Sequence, residues 1–292
     1  MKSSTVPKYG KIFLVGAGPG DPKLLTIRAL EVLRIADVIL YDRLVSSEIL
    51  ELLPENTRKI NVGKVPHTSE AMSLEQKEIN RIMLEESKKG NKVVRLKGGD
   101  PLFFSRGGEE LDEIREEGIE YEVVPGVSSA IGVPSFAGLP LTQRGVASSV
   151  AFVTGHEDPS KEESRVDLRK LATAVDTIVV LMGAAKLHQI TEELISGGAR
   201  IMTPVAVVES GTRPDQKVRF STLGEIAEGD LGGALRSPAL IVVGDVLRSK
   251  IGSRVRRSGD EEDLEQIPGE APQKEEKEEE TPISWCIAAE FS

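Results

Sequence analysis

Short apolar runs closed by glycine or proline recur along the chain, and between them lie stretches whose apolar residues fall three and four apart. The first pattern is that of a strand and the second that of a helix. Strands are therefore expected at 11–15, 38–41, 92–96, 148–153, 177–182, 205–208 and 239–243. Between the first two, Leu24, Leu25, Ile27, Leu30, Leu33 and Ile35 repeat at helical intervals and predict a helix with that face on a sheet. Ser73 with Gln76 three residues later makes a capping box ahead of Ile79, Ile82 and Met83 and predicts a second helix. Helix follows strand throughout, which predicts an α/β fold with parallel neighbours joined by crossovers.

The alternation is interrupted once and then stops. Pro125, Gly126, Gly132, Pro134, Gly138 and Pro140 crowd the segment 124–141, which predicts a junction between an N-terminal α/β domain, 1–125, and a C-terminal α/β domain, 126–252. Beyond that, 259–282 is dominated by Asp, Glu, Pro and Lys and cannot bury enough apolar surface to offset chain entropy, so 253–292 is expected to be a disordered acidic tail. Its last ten residues hold the only Trp and the only Cys, Trp285 and Cys286, and are expected to be an unstructured end.

The tail changes the meaning of the net charge of −10. Of the 47 acidic and 37 basic residues, 12 and 5 follow Gly252, so the tail carries −7 and the body only −3. The body shows no basic stripe, and no nucleic-acid partner is expected. A single cysteine excludes a disulfide framework within the chain and any zinc site built on several thiolates. His67, His156 and His188 share no ligand spacing, and no metal is expected. With no apolar leader and no apolar run approaching the ~20 residues of a membrane span, a soluble cytoplasmic protein is the expectation.

The chemistry sits at strand ends. Gly16-Ala17-Gly18-Pro19-Gly20-Asp21 follows the first strand, where glycines allow a tight turn and close approach of a ligand to the backbone. It departs from the dinucleotide fingerprint, because Asp21 stands where the third glycine belongs. It could equally be a bare strand–helix turn. Arg95-Leu96-Lys97-Gly98-Gly99-Asp100-Pro101 repeats the design, with Asp100 either an acceptor for ribose hydroxyls or the centre of an Asx turn. Asp42 and Lys64, after the next two apolar stretches, are candidates for an acid–base pair, or else an ion-paired aspartate and a surface lysine.

Taken together, the segments 16–22, 41–46, 62–64, 94–101, 106–110, 124–126, 139–144, 153–156 and 207–212 resemble the tetrapyrrole methylase family over roughly 11–248. Tyr41-Asp42-Arg43-Leu44-Val45, Val62-Gly63-Lys64 and the run from Arg95 to Pro101 resemble its uroporphyrinogen-III C-methyltransferase branch. The resemblance implies two α/β domains with S-adenosylmethionine in the cleft between them, a homodimer, and methylation of uroporphyrinogen III at two pyrrole carbons, C-2 and C-7, towards sirohaem and cobalamin. By position it implies that Pro19, Gly98, Gly99, Asp100, Phe103, Ser128, Ser129, Met182 and Gly211 contact the cofactor. It makes Asp42 the proton acceptor and Lys64 the donor, and it places Arg106, Glu109 and Arg144 on the substrate side. Ser128-Ser129 departs from the Thr-Ala frequent in the family but keeps the first hydroxyl. The substrate carries eight carboxylates, which Arg43, Lys64, Arg106 and Arg144 are suited to recognise. The alternatives are a later precorrin methyltransferase, a nucleotide-binding oxidoreductase and a noncatalytic binding module.

Overall fold

The computed structural model of the chain describes residues 9–63, 76–155, 165–229, 231 and 233–250. The expected acidic tail, the Ser73 cap, Lys64, His67 and His156 lie outside the described residues. The chain divides into a unit of Met1–Val255, which holds everything described here, and a second of Arg256–Ser292.

The first sheet is built from β1 (Ile12–Gly16), β2 (Val38–Tyr41), β3 (Arg58–Asn61), β4 (Val93–Lys97) and β5 (Tyr121–Val124), all parallel, in the order β3-β2-β4-β1-β5. β1 and β4 are buried along their whole length, as strands covered on both faces must be. Their alternation serves two cores. Phe13, Val15, Ile39, Val94 and Leu96 pack under α1 (Ile27–Arg34) and α2 (Ser47–Glu51), while Ile12, Leu14, Leu40 and Val93 pack under α3 (Gln76–Lys88) and α4 (Gly107–Glu116). The connections leaving β1 and β4 thus depart to opposite faces, and the gap between these two strand ends is where open α/β sheets bind ligands.

The second sheet has β6 (Val150–Thr154), β7 (Thr177–Leu181), β8 (Pro204–Glu209), β9 (Lys217–Thr222) and β10 (Ala239–Gly244), in the order β6-β7-β10-β8-β9. Parallel neighbours were expected throughout, but only β6 and β7 are parallel; β10 runs against both β7 and β8, and β8 turns directly into β9. The link from β8 to β9, residues 210–216, is too short for a helical crossover, so the two strands must be antiparallel. One face packs on α5 (Ser129–Phe136) through Ala130, Val133 and Ala137. The other packs on α6 (Leu168–Ala174), α7 (Leu187–Ser196) and α8 (Leu223–Ala227).

The first helix is shorter and differently phased than its apolar spacing predicts. Asp21 caps a 3-10 turn at Pro22–Leu24, and Thr26 then caps α1 by accepting from the Ala29 amide at 3.1 Å. The buried stripe becomes Ala29, Val32 and Leu33, and Ile27 is left 80 % exposed. The 3-10 turn takes Leu24 out of the helix and so rotates the buried face of α1.

Candidate active site

At the carboxyl edge of the first sheet three strand ends converge, and those of β1 and β4 are joined main chain to main chain. The Gly18 amide donates to Gly99 O at 3.1 Å, the Gly99 amide donates back to Gly18 O at 2.7 Å, and the Ala17 amide donates to Lys97 O at 2.8 Å. Both glycines sit at φ +72°, a left-handed conformation that other residues adopt only under strain. Gly126, after β5, closes the cradle: a Cβ there would lie 2.3 Å from Gly99 O, so no side chain fits. Asp100 fastens the same junction. Its Oδ1 accepts from the Leu102 amide at 2.9 Å as an Asx turn does, and its Oδ2 accepts from the Gly126 amide at 3.1 Å.

Beside this cradle an open recess of about 380 Å³ is lined by Asp100, Phe103, Gly126, Val127, Ser128 and Ile131. Ser128 caps α5 by accepting from the Ala130 amide at 3.3 Å, so the positive end of that helix faces the recess. Phe103 meets Phe152 of β6 edge to face, with ring centroids 5.7 Å apart, which brings the second sheet to the same place. Of the residues expected at the cofactor, Asp100, Phe103 and Ser128 line the recess and Gly99 packs near the Ser129 amide. Pro19 lies over Gly132 of α5. Gly98 faces elsewhere, towards Leu44 in the turn after β2. Met182 and Gly211 are not among the lining residues; Gly211 is pressed against Val133 of α5.

The second sheet adds a strained edge. β6, β7 and β8 all end on one side, and there Met182, Ser210 and Thr212 take φ of +55°, +49° and +66°. Each such residue costs about 1–3 kcal/mol, and clusters of them belong to functional edges. The loop after β8 is braced internally, with Ser210 Oγ donating to Asp215 Oδ2 at 2.9 Å and the Thr212 amide donating to Gln216 Oε1 at 2.7 Å. It reaches the glycine loop of the first sheet, where Thr212 Oγ1 accepts from the Asp21 amide at 3.2 Å.

Under Asp42 lies a buried layer of charge. Arg95 and Lys97 alternate onto one face of β4 and are 2 % and 4 % exposed, and Glu110 of α4 is fully buried between them. Arg95 Nε donates to Glu110 Oε1 at 2.8 Å, and Arg95 Nη2 donates to Asp42 Oδ1 at 2.5 Å. Lys97 Nζ lies 3.0 Å from Glu110 Oε2, and Gln76 Nε2 donates to Glu110 Oε1 at 3.0 Å. Burial alone would push the Glu110 carboxyl up, but Arg95 and Lys97 outweigh it and hold it below the ordinary range. Burial, then the Arg95 charge, pushes the Lys97 ammonium down. Removing one member of such a set leaves an uncompensated charge at a cost of about 3–5 kcal/mol. Asp42 itself is partly exposed, with one carboxylate oxygen fixed by Arg95.

The substrate-side candidates lie on the surface. Arg106 and Glu109 form an exposed pair at 2.6 Å. Arg43 is exposed after β2, and Arg144 is exposed in the tight turn closed by Gln143 and Ala147. His188 approaches Glu192 and Ile226 O, and no group of metal-ligating side chains occurs among the described residues.

A family model for tetrapyrrole (corrin/porphyrin) methylases matches residues 11–227. The chain belongs to the tetrapyrrole methylases. This methylase is 50 % identical over 239 residues to an S-adenosyl-L-methionine-dependent uroporphyrinogen III methyltransferase of Methanosarcina barkeri, covering 82 % of this chain and 92 % of the relative. It is 48 % identical to a uroporphyrinogen-III C-methyltransferase of Methanocaldococcus jannaschii, with 82 % and 97 % covered. A solved uroporphyrin-III C-methyl transferase of Thermus thermophilus, complexed with S-adenosylhomocysteine, is 42 % identical and superposes with a TM-score of 0.71 over 82 % of this methylase and all of that chain.

Two parts of the site escaped the sequence reading. Arg95 and Lys97 stood inside a recognised motif, yet two cations at i and i+2 in an otherwise apolar strand were the signal of a buried layer with an acidic partner. The contacts of Thr212 and Arg213 with the first sheet, 191 and 169 residues away, had no local signature.

Proposed function

We propose that this methylase transfers methyl groups from S-adenosylmethionine to two pyrrole carbons of uroporphyrinogen III, C-2 and C-7, giving precorrin-2 for sirohaem and cobalamin synthesis. The observation that carries the reading is the main-chain cradle of Gly16, Gly18, Gly99 and Gly126 beside Asp42, in a chain half identical to an enzyme of that name. The cradle suits the methyl donor: glycines admit a ligand to the backbone, Phe103 and Ile131 offer apolar walls, and the α5 N-terminus with Ser128 offers donors.

When bound, S-adenosylmethionine supplies an electrophilic methyl group. The chain's own residues then have to align the ring carbon and remove a proton. In this reading Pro19, Gly98, Gly99, Asp100, Phe103, Ser128, Ser129, Met182 and Gly211 form the donor side. Asp100 does so by shaping the loop, since both its oxygens are engaged by backbone amides. Asp42 accepts the proton through the oxygen that Arg95 leaves available, and Lys64 returns one. Arg43, Arg106 and Arg144 face the carboxylates, with Glu109 holding the Arg106 fork in place. The two sheets are read as the cores of two domains, 1–125 and 126–252, in a cytoplasmic homodimer that needs neither metal nor nucleic acid. No described helix is long and apolar enough to cross a membrane.

Anaerobic incubation with uroporphyrinogen III and S-adenosylmethionine, followed by product mass, tests this reading. Two methyl groups per macrocycle are expected; a product that never passes one overturns it.

A further inference from the structure

We propose that Arg213 is a positioning residue for the Asp42 turn, delivered across the site by the loop that follows β8. The inference rests on the functional reading above, in which Asp42 accepts the proton.

The turn 42–46 is anchored to its own sheet at several points. The Asp42 amide donates to Leu96 O at 3.2 Å, the Val45 amide closes the turn on Asp42 O at 3.1 Å, and Ser46 Oγ donates to Gly20 O at 2.7 Å. Its middle carbonyl, Leu44 O, is held from elsewhere. It accepts from Arg213 Nη2 at 2.8 Å, from a residue of the second sheet's edge. The arginine reaches that carbonyl by passing over Gly20, where a Cβ would lie 3.0 Å from Arg213 Cγ and 3.2 Å from its Nε. That Nε is buried with no hydrogen-bond partner among the described residues. The hydrogen bond from Nη2 to Leu44 O is thus the polar contact that ties this side chain to the first sheet.

The placement ties two functions together. Arg213 follows Gly211 and Thr212 in a loop that docks on the glycine turn at Asp21, so the guanidinium can reach Leu44 O only while that loop is docked. Leu44 also packs against Gly98, whose absent Cβ would lie 2.8 Å from its own. A shift of the 42–46 turn would move Asp42, while the Gly18–Gly99 pair is held by its own two main-chain hydrogen bonds.

Arg213→Ala and Arg213→Lys in the full chain test this, with three measurements on each: turnover at saturating S-adenosylmethionine, calorimetric affinity for S-adenosylhomocysteine, and the melting temperature. The expected result for Arg213→Ala is a fall in kcat of about tenfold or more, since small misplacements of a reacting group are costly. Affinity for S-adenosylhomocysteine should stay within about threefold, because uniform binding is untouched. Arg213→Lys should recover part of the rate, as an ammonium can still donate to the carbonyl but lacks the planar fork. An Arg213→Ala variant with wild-type kcat overturns the proposal, as does a joint collapse of rate, affinity and melting temperature that lysine does not relieve. A wild-type protein that fails to methylate uroporphyrinogen III sinks the functional reading itself and this inference with it.

Discussion

Glu110 is the residue on which the charge beneath the site depends, because it faces two cations with no solvent to share the work. Glu110→Gln keeps the shape but leaves Arg95 and Lys97 with one carboxylate, that of Asp42, and should destabilise the fold by about 3–5 kcal/mol near neutral pH. The pH dependence has a definite sign. The folded carboxyl lies below the ordinary 4.5, so its contribution is complete above that value and drains away as the pH falls through the lower, folded one. Urea denaturation from pH 7 down to about 3.5 should therefore show wild type and Glu110→Gln converging on the acid side; a constant gap would mean the charge of Glu110 is irrelevant. Arg106 is the opposite case. It and Glu109 are more than half exposed, and such pairs contribute about 0–1 kcal/mol. Arg106→Ala should hardly move the melting temperature or the affinity for S-adenosylhomocysteine, yet lower turnover sharply by removing a charge-assisted contact with a substrate carboxylate. Loss of all three together would place Arg106 in the scaffold. The sequence showed both residues in one motif; only the fold separates the buried carboxylate from the exposed one, because a helix turn puts neighbours 109 and 110 on different faces.

Among the elements, those with a strong internal period were legible and those whose character comes from their neighbours were not. β1, β2, β4, β7 and β10 read directly as apolar runs because they are central and buried. β3 and β9 are edge strands carrying Arg58, Lys59, Lys217 and Arg219, charges that an edge tolerates and that hide the alternation. β5, at the other edge, likewise lacks a fully buried run and so leaves no apolar signature in the sequence. The glycine loops were visible as composition, but which glycines are obligatory follows only from what each one touches. A paired substitution measures that difference. Gly126→Ala drives a methyl to 2.3 Å from Gly99 O and should abolish S-adenosylhomocysteine binding in a titration. Gly108→Ala, in the first turn of α4 with nothing within 4 Å, should bind normally and melt slightly higher, by about 0.5–1 kcal/mol of helix preference. Equal binding by the two variants would mean the cradle is not where the donor sits.

At the scale of the whole molecule, the nearly neutral body and the strongly acidic end are different materials, and every candidate site residue lies in the first. Truncation after Gly252 should leave turnover and S-adenosylhomocysteine affinity nearly unchanged while raising the net charge from −10 to −3, a change visible in ion-exchange retention. A truncated protein that loses activity would assign the end a role in the fold or the assembly. The main-chain cradle also bears on how such a molecule can diverge. Its shape is written largely in amide and carbonyl groups, which every residue but proline carries, and in a few glycines whose absent side chains make room for them. Arg43, Arg106 and Arg144 are exposed and take no part in that backbone pairing. If the cradle seats the methyl donor as proposed, descendants of this chain can exchange the arginines and acquire a new acceptor while that seat is inherited intact.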